Sequence, residues 1–158
     1  MKAIIFNAFA AAFSLVAAVP FPATAQAIYD GSYHSVDSKS SWSNGKFPKD
    51  FDGTIAVHFK DGKLIYHSIN VHNPSAGLDY TAPLDGTVAP MLNNARFNQV
   101  VVKRIAPNQL EILEMKDGDV LVGAYWIFAR DRKSFVRRGI AKGDDGKSHE
   151  FDETFARQ

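Results

Sequence analysis

The feature that most constrains this chain is an alternation of apolar and polar residues that is repeatedly interrupted by turn sequences. Ile55, Val57 and Phe59 alternate with small or polar residues, and Asp61-Gly62 follows shortly after. A period of two places alternate side chains on opposite faces of a strand. Asp-Gly is favoured in a two-residue type I′ turn, because both turn positions need a positive φ. This segment therefore predicts a β-strand that ends in a tight hairpin.

The same pattern repeats to the C-terminus. Further turn sequences lie at residues 74–77, 85–86, 107–108, 117–118, 131–134 and 144–146. This spacing predicts about nine strands joined by short connections. Sequential hairpins favour an antiparallel up-and-down meander, and closure of a meander removes its exposed edges. We therefore predict an all-β fold, a meander closed into a barrel of about 8 to 10 strands, with an open β-sandwich as the alternative.

One stretch has features of a helix. Pro90 suits a first-turn position, and residues 90–97 contain no β-branched side chain. We predict at most one short helix, of one or two turns, at this place.

The first 27 residues differ in composition from the rest. Lys2 is their only charged residue, the stretch that follows it is almost entirely apolar, and Ala25 and Ala27 offer a small-residue cleavage site. This layout is typical of a secretory signal peptide. We predict cleavage after Ala27, which leaves residues 28–158 as one barrel domain in the periplasm or outside the cell. The alternative is an uncleaved membrane anchor, for which the apolar stretch is short compared with the roughly 20 residues that cross a bilayer.

The composition argues against several classes of function. The 158 residues include 18 Lys and Arg, 17 Asp and Glu, and no cysteine. A balanced charge gives no long-range field that would attract nucleic acid. Without cysteine there are no disulfides, thiolate metal sites or cysteine nucleophiles, and the sequence has no phosphate-loop, dinucleotide or Gly-x-Ser-x-Gly motif. We predict no cofactor, no metal, no nucleic-acid partner and no stable membrane insertion after signal cleavage.

Short motifs along the chain resemble those of a known group of proteins. Gly31-Ser32-Tyr33 resembles the Gly-x-Trp that begins the first strand of calycins. The further similar segments are at residues 39–42, 100–104, 109–112, 117–118, 144–146 and 153–157. Together they resemble a family of bacterial exported lipocalin-like proteins of mostly unassigned function. The resemblance implies a barrel with an apolar pocket and no particular reaction, and it implies that Arg157 packs over the ring of Tyr33 at the barrel floor.

Strand parity selects the polar residues that face the predicted interior. In the last strand His149 and Glu153 alternate with two phenylalanines, which indicates that this face lies inside. Arg138 and His67 each share a strand face with aliphatic residues, and we predict that both also point inward. The functional interpretation is a polar cluster of these four residues that orients a ligand or acts as acid and base. The structural alternative is a buried ion pair between Arg138 and Glu153, with the histidines in the core or at the rim.

Two adjacent aromatic residues mark the most apolar strand. Tyr125 and Trp126 must point to opposite faces, so one lies inside the barrel and one outside. A large rigid ring offers a ligand contact area at little cost in entropy. Either residue is therefore a candidate for lining a pocket, and the alternative is that one is core and the other surface.

The predicted function is the binding of a small apolar or amphipathic molecule inside an exported barrel. The candidate ligand-binding residues are His67, Tyr125, Trp126, Arg138, His149 and Glu153. One alternative is an enzyme that uses an interior His/Glu acid–base pair on a small hydrophobic substrate. Another is an interaction module with an exposed aromatic patch around Trp42.

Overall fold

The structure is a computed structural model that describes residues 27–47, 51–143 and 145–158. The eleven strands in these ranges are β1 Gly31–Ser35, β2 Ser41–Trp42, β3 Gly53–Lys60, β4 Lys63–Asn70, β5 Asp79–Pro83, β6 Asp85–Leu92, β7 Gln99–Ala106, β8 Gln109–Lys116, β9 Asp119–Phe128, β10 Ser134–Lys142 and β11 Ser148–Arg157. The helical segments are 3-10 turns at Ala27–Tyr29, Asp37–Lys39 and Pro74–Ala76. Within these ranges no helix is long and apolar enough to cross a membrane. The predicted signal peptide lies outside the described residues, apart from Ala27.

Ten of the strands form a closed antiparallel barrel. Strands that follow one another from β3 to β11 are paired, and β1 pairs with both β3 and β11, which closes the ring. The 3-10 turn at Asp37–Lys39 follows β1 and leads to the two-residue strand β2. This strand pairs with β11. The predicted meander barrel is therefore confirmed. The sandwich alternative is wrong, because the two edges of the sheet meet.

Two of the predicted Asp-Gly turns, at residues 61–62 and 117–118, have the backbone that the sequence predicts, whereas Asp85 and Gly86 lie in β6, after a turn at Leu84. Asp61 and Gly62 have φ values of 50° and 72°, and Asp117 and Gly118 have values of 51° and 93°. Positive φ at both central positions is typical of a type I′ turn, whose twist matches the twist of the flanking strands. These turns set the register of β3 against β4 and of β8 against β9.

Residues 90–97 do not form the short helix considered for them. They continue β6 as far as Leu92 and then form the loop that leads to β7. Ala89 and Met91 are both buried in the barrel, and Pro90 is exposed between them. The strand is more stable because it buries these alternate apolar side chains. A helix of one or two turns would leave many backbone groups of the segment without hydrogen bonds.

One end of the barrel interior is filled by aromatic rings. The rings of this aromatic floor are those of Tyr29, Tyr33, Phe59, Trp126, Phe128, Phe135 and Phe155. Their centroids lie between 4.8 and 6.2 Å apart along a continuous set of contacts. Tyr33 donates a hydrogen bond to the carbonyl oxygen of Tyr29 at 2.8 Å, and the Arg157 guanidinium lies 6.0 Å from the Tyr33 ring centroid. The contact that the family resemblance implies is thus confirmed.

Candidate ligand-binding site

The other half of the barrel contains a cavity of about 800 Å³. It extends from the aromatic floor to a mouth formed by the loops before β3, after β4, before β7 and between β10 and β11. Apolar side chains that line it are Phe51, Ile55, Leu78, Phe97, Val122, Phe151 and Phe155. Small-molecule sites usually enclose about 300 to 1,000 Å³, so the cavity has the size of such a site.

Three charged side chains meet inside the cavity and form an interior cluster. Arg137 on β10 donates from Nη1 to Glu153 Oε2 on β11 at 3.1 Å, and its Nη2 lies 3.5 Å from Glu114 Oε1 on β8. The side chains of Arg137, Glu153 and Glu114 are 16%, 7% and 4% exposed. The cluster therefore holds two carboxylates and one guanidinium in a nearly dry setting.

Burial and neighbouring charges shift the pKa values of the groups in this cluster. Burial raises the pKa of the Glu114 carboxyl, the Arg137 guanidinium opposes that rise, and the Glu153 carboxylate adds to it. Burial by itself lowers the pKa of Arg137, but the two carboxylates outweigh it and hold that pKa above its usual range. Arg137 is thus charged throughout the physiological pH range, while burial favours the protonated form of Glu114.

Aromatic side chains surround the interior cluster. The rings of Tyr66 and Tyr80 are stacked with centroids 4.6 Å apart, and the Tyr66 ring lies 5.4 Å from the ring of Trp126. Burial raises the pKa of Tyr66 to about 12, so its phenol is a neutral donor at the cavity wall. The Arg137 guanidinium lies 5.3 Å from the Phe151 centroid and 6.0 Å from the Trp126 centroid, within the range of cation–π attraction.

Three predicted site residues lie inside the barrel. Glu153 belongs to the interior cluster, and it also accepts a hydrogen bond from Trp42 Nε1 at 2.9 Å. His149 is half-buried at the mouth, where its ring centroid is 5.2 Å from that of Trp42. Trp126 is the inward member of the aromatic pair, but it lies in the aromatic floor beneath Arg137 and not on the cavity wall.

The inward orientation predicted for His67 and Arg138 is wrong. His67 contacts Asp79, and Arg138 donates from Nε to Asp152 at 2.8 Å, both on the outer surface. Their faces were misassigned because the aliphatic neighbours that suggested burial, such as Ile65 and Ile140, are themselves 40% and 54% exposed.

Two further expectations change with these positions. Tyr125 is the outward member of the aromatic pair and lies exposed on β9, so it does not reach the cavity. The enzyme alternative can no longer use His67 as an acid or base inside the barrel, because this residue lies on the outer surface. The exposed patch around Trp42 does not form either, because that ring is half-buried and turned towards Glu153.

Arg137 and Glu114 are site residues that the sequence analysis missed. Arg137 shares its strand face with the buried Phe135, and Glu114 shares its face with the buried Leu110 and Ile112. Strand parity anchored on these large residues was the signal that could have identified both. The buried ion pair considered for Glu153 exists, but its partner is Arg137 and not Arg138.

In the described part of the chain, no three His, Asp or Glu side chains are grouped so that they could hold a metal ion.

Comparison with known proteins identifies the fold. No protein-family model and no curated protein matches the sequence significantly. Among solved structures, the barrel is similar to the crystal structure of zebrafish ileal bile acid-binding protein complexed with cholic acid. The TM-score is 0.55 and the sequence identity 10%, over 83% of this chain and 99% of that one. At this identity the similarity shows the fold alone, a closed antiparallel β-barrel.

Proposed function

We propose that this protein binds a small amphipathic molecule inside its barrel. The observation that carries the proposal is the cavity of about 800 Å³, whose apolar wall surrounds one guanidinium and two carboxylates. Burial of a ligand's apolar surface contributes about 25 cal/mol per Å², and a few fixed polar groups orient it. The similar zebrafish barrel binds bile acids, and cholic acid is itself amphipathic, which supports this class of ligand.

The two ends of the barrel define how the ligand enters. The aromatic floor closes one end with packed rings, whereas loops surround the cavity at the other. The ligand therefore enters and leaves through the mouth, past Trp42 and His149.

A fluorescent amphipathic probe tests the proposal directly. We expect 1-anilinonaphthalene-8-sulfonate to bind the purified protein saturably, with one site per chain. Val122→Trp fills part of the cavity, because Val122 is a buried residue of its wall, and it should weaken the probe at least about tenfold.

The matched control is Val120→Trp, two residues earlier on the same strand and exposed. It should leave probe affinity unchanged. Equal effects of the two variants, or no saturable binding to the unmodified protein, would contradict the proposal.

We also propose that the protein is exported and that residues 1–27 are removed. The basic start, the apolar stretch and the small residues before Ile28 support this. In bacterial cells that express the full chain, the protein should appear in the periplasmic or extracellular fraction with Ile28 as its first residue. N-terminal sequencing of that fraction is the measurement, and full-length protein in the membrane fraction would favour the uncleaved anchor.

A further inference from the structure

We infer that the ligand is an amphipathic anion that is bound with its charged group at the mouth of the barrel and its apolar body inside. The inference rests on the proposed function and adds to it the charge and the orientation of the ligand. Its basis is the distribution of charge along the cavity, which is acidic at depth and basic at the mouth.

The interior cluster disfavours an anion. Glu114 and Glu153 carry two negative charges against the single positive charge of Arg137 when all three are ionised. Protonation of Glu114, which burial favours, brings the cluster to neutrality but never to a net positive charge.

The guanidinium of Arg137 is also already engaged. Its two Nη atoms are directed at Glu153 and Glu114, at 3.1 and 3.5 Å. The Arg137 Nε is buried without a hydrogen-bond partner, but a ligand carboxylate brought to it would lie close to the Glu153 carboxylate, and like charges repel strongly in a nearly dry setting. The deep end of the cavity therefore suits an apolar or neutral group.

The mouth of the cavity has the opposite character. Lys46, Arg96 and Lys147 line it, and among the described lining residues of the mouth Asp145 is the single acidic one. All three basic side chains are exposed, so they attract an anion at a smaller desolvation penalty than buried cations would. The half-buried His149 lines the same end of the cavity.

The apolar wall separates these two regions. Ile55, Leu78 and Phe97 belong to this wall, so an anionic group placed between mouth and floor would lie against apolar side chains and meet neutral donors such as the Tyr66 phenol, but no basic side chain among the described lining residues. An amphipathic anion therefore matches the polarity and charge of all three regions in one orientation only. In that orientation its acid group is outermost.

Three probes with the same twelve-carbon chain test the inference: dodecanoate, dodecanol and dodecylammonium. The two ionic probes are titrated below their micelle concentrations and dodecanol below its solubility limit, and the change in tryptophan fluorescence is recorded. We expect dodecanoate to bind at least about tenfold more tightly than dodecylammonium, with an affinity that falls as salt rises. The reverse order would overturn the inference.

Charge reversal at the mouth locates the headgroup. Lys147→Glu should weaken dodecanoate about three- to tenfold and leave dodecanol unchanged. Lys63→Glu is the matched control, because Lys63 is an exposed lysine in the hairpin at the closed end of the barrel and undergoes the same charge change. It should leave the affinities of all three probes unchanged.

A second variant tests the opposite orientation. Glu114→Gln prevents this side chain from carrying a negative charge beside Arg137 and keeps its shape. If dodecanoate were bound with its carboxylate at depth, this variant would strengthen dodecanoate at least about tenfold relative to dodecanol. In the inferred orientation both probes place their apolar chain beside Glu114, so we expect the two affinities to change by the same factor. Comparable binding of all three probes would overturn the inference and leave the proposed function intact, whereas binding of none would contradict the proposed function itself.

Discussion

Arg137 donates a hydrogen bond to Glu153 at 3.1 Å across the β10–β11 pair, inside a barrel whose wall is mostly apolar. The two residues stand directly opposite each other in the strand register. This pair, with Glu114 beside it, is the polar centre of the cavity, and it lies directly above the Trp126 ring of the aromatic floor.

Loss of one partner of this buried pair should destabilise the fold strongly. Glu153→Ala leaves the Arg137 guanidinium buried without its best partner and also removes the acceptor of Trp42 Nε1. We expect the free energy of unfolding to fall by about 3 to 5 kcal/mol in urea titrations. Asp152→Ala removes the partner of Arg138 on the outer surface, and it should cost no more than about 1 kcal/mol. Similar losses in both variants would be inconsistent with a buried pair.

The pH dependence of stability should report the buried Glu114 carboxyl. Its pKa in the folded protein is raised above the unfolded value of 4.5. The folded state therefore binds more protons in the window above that value, and this contribution to the free energy of unfolding is lost as pH rises through the folded pKa. Glu114→Gln cannot titrate, so its stability relative to the unmodified protein should increase with pH across the window. Urea titrations between about pH 4 and pH 8 measure this difference, and parallel curves would contradict it.

The adjacent aromatic pair on β9 provides a test of the aromatic floor. Trp126 is fully buried and stacks on Phe135 at 5.1 Å, whereas Tyr125 is exposed on the other face. Trp126→Ala should lower the free energy of unfolding by about 3 to 5 kcal/mol, because it removes a large ring from a packed interior. Tyr125→Ala should cost about 1 kcal/mol or less. The comparison uses the same denaturant titration for both variants.

Two glycines that lie diagonally across the β9–β10 pair, Gly123 beside Ile140 and Gly139 beside Ala124, should differ in tolerance. A Cβ added at Gly139 would come within 2.1 Å of the Gly123 carbonyl oxygen and 2.8 Å of the Ala124 Cα, so the backbones would have to separate. At Gly123 an added Cβ would meet only Leu113 Cδ2, at 3.6 Å. We expect Gly139→Ala to cost about 3 kcal/mol and Gly123→Ala less than about 1 kcal/mol. Thermal unfolding measures both, and a tolerated alanine at Gly139 would refute this account.

Strand faces were predictable where the two faces of a strand differ strongly. On β3 the residues Ile55, Val57 and Phe59 alternate with smaller or more polar ones, and they are buried as expected. On β4 and β10 aliphatic residues occupy both faces, so parity anchored on Ile65 or Ile140 selected the outer one. The inner faces carry the larger Tyr66 and Phe135, because bulky rings fill the interior of a barrel.

The sequence by itself determined the strands, the hairpin turns and the class of fold, since each depends on residues within a few positions of one another. It also placed His149 and Glu153 on an inner face. Closure of the ring, the filled and open halves of the interior and the interior cluster were decided only by the tertiary structure. Glu114, Arg137 and Glu153 come from three strands, and their contact depends on the register and curvature of the whole barrel, which no local pattern encodes.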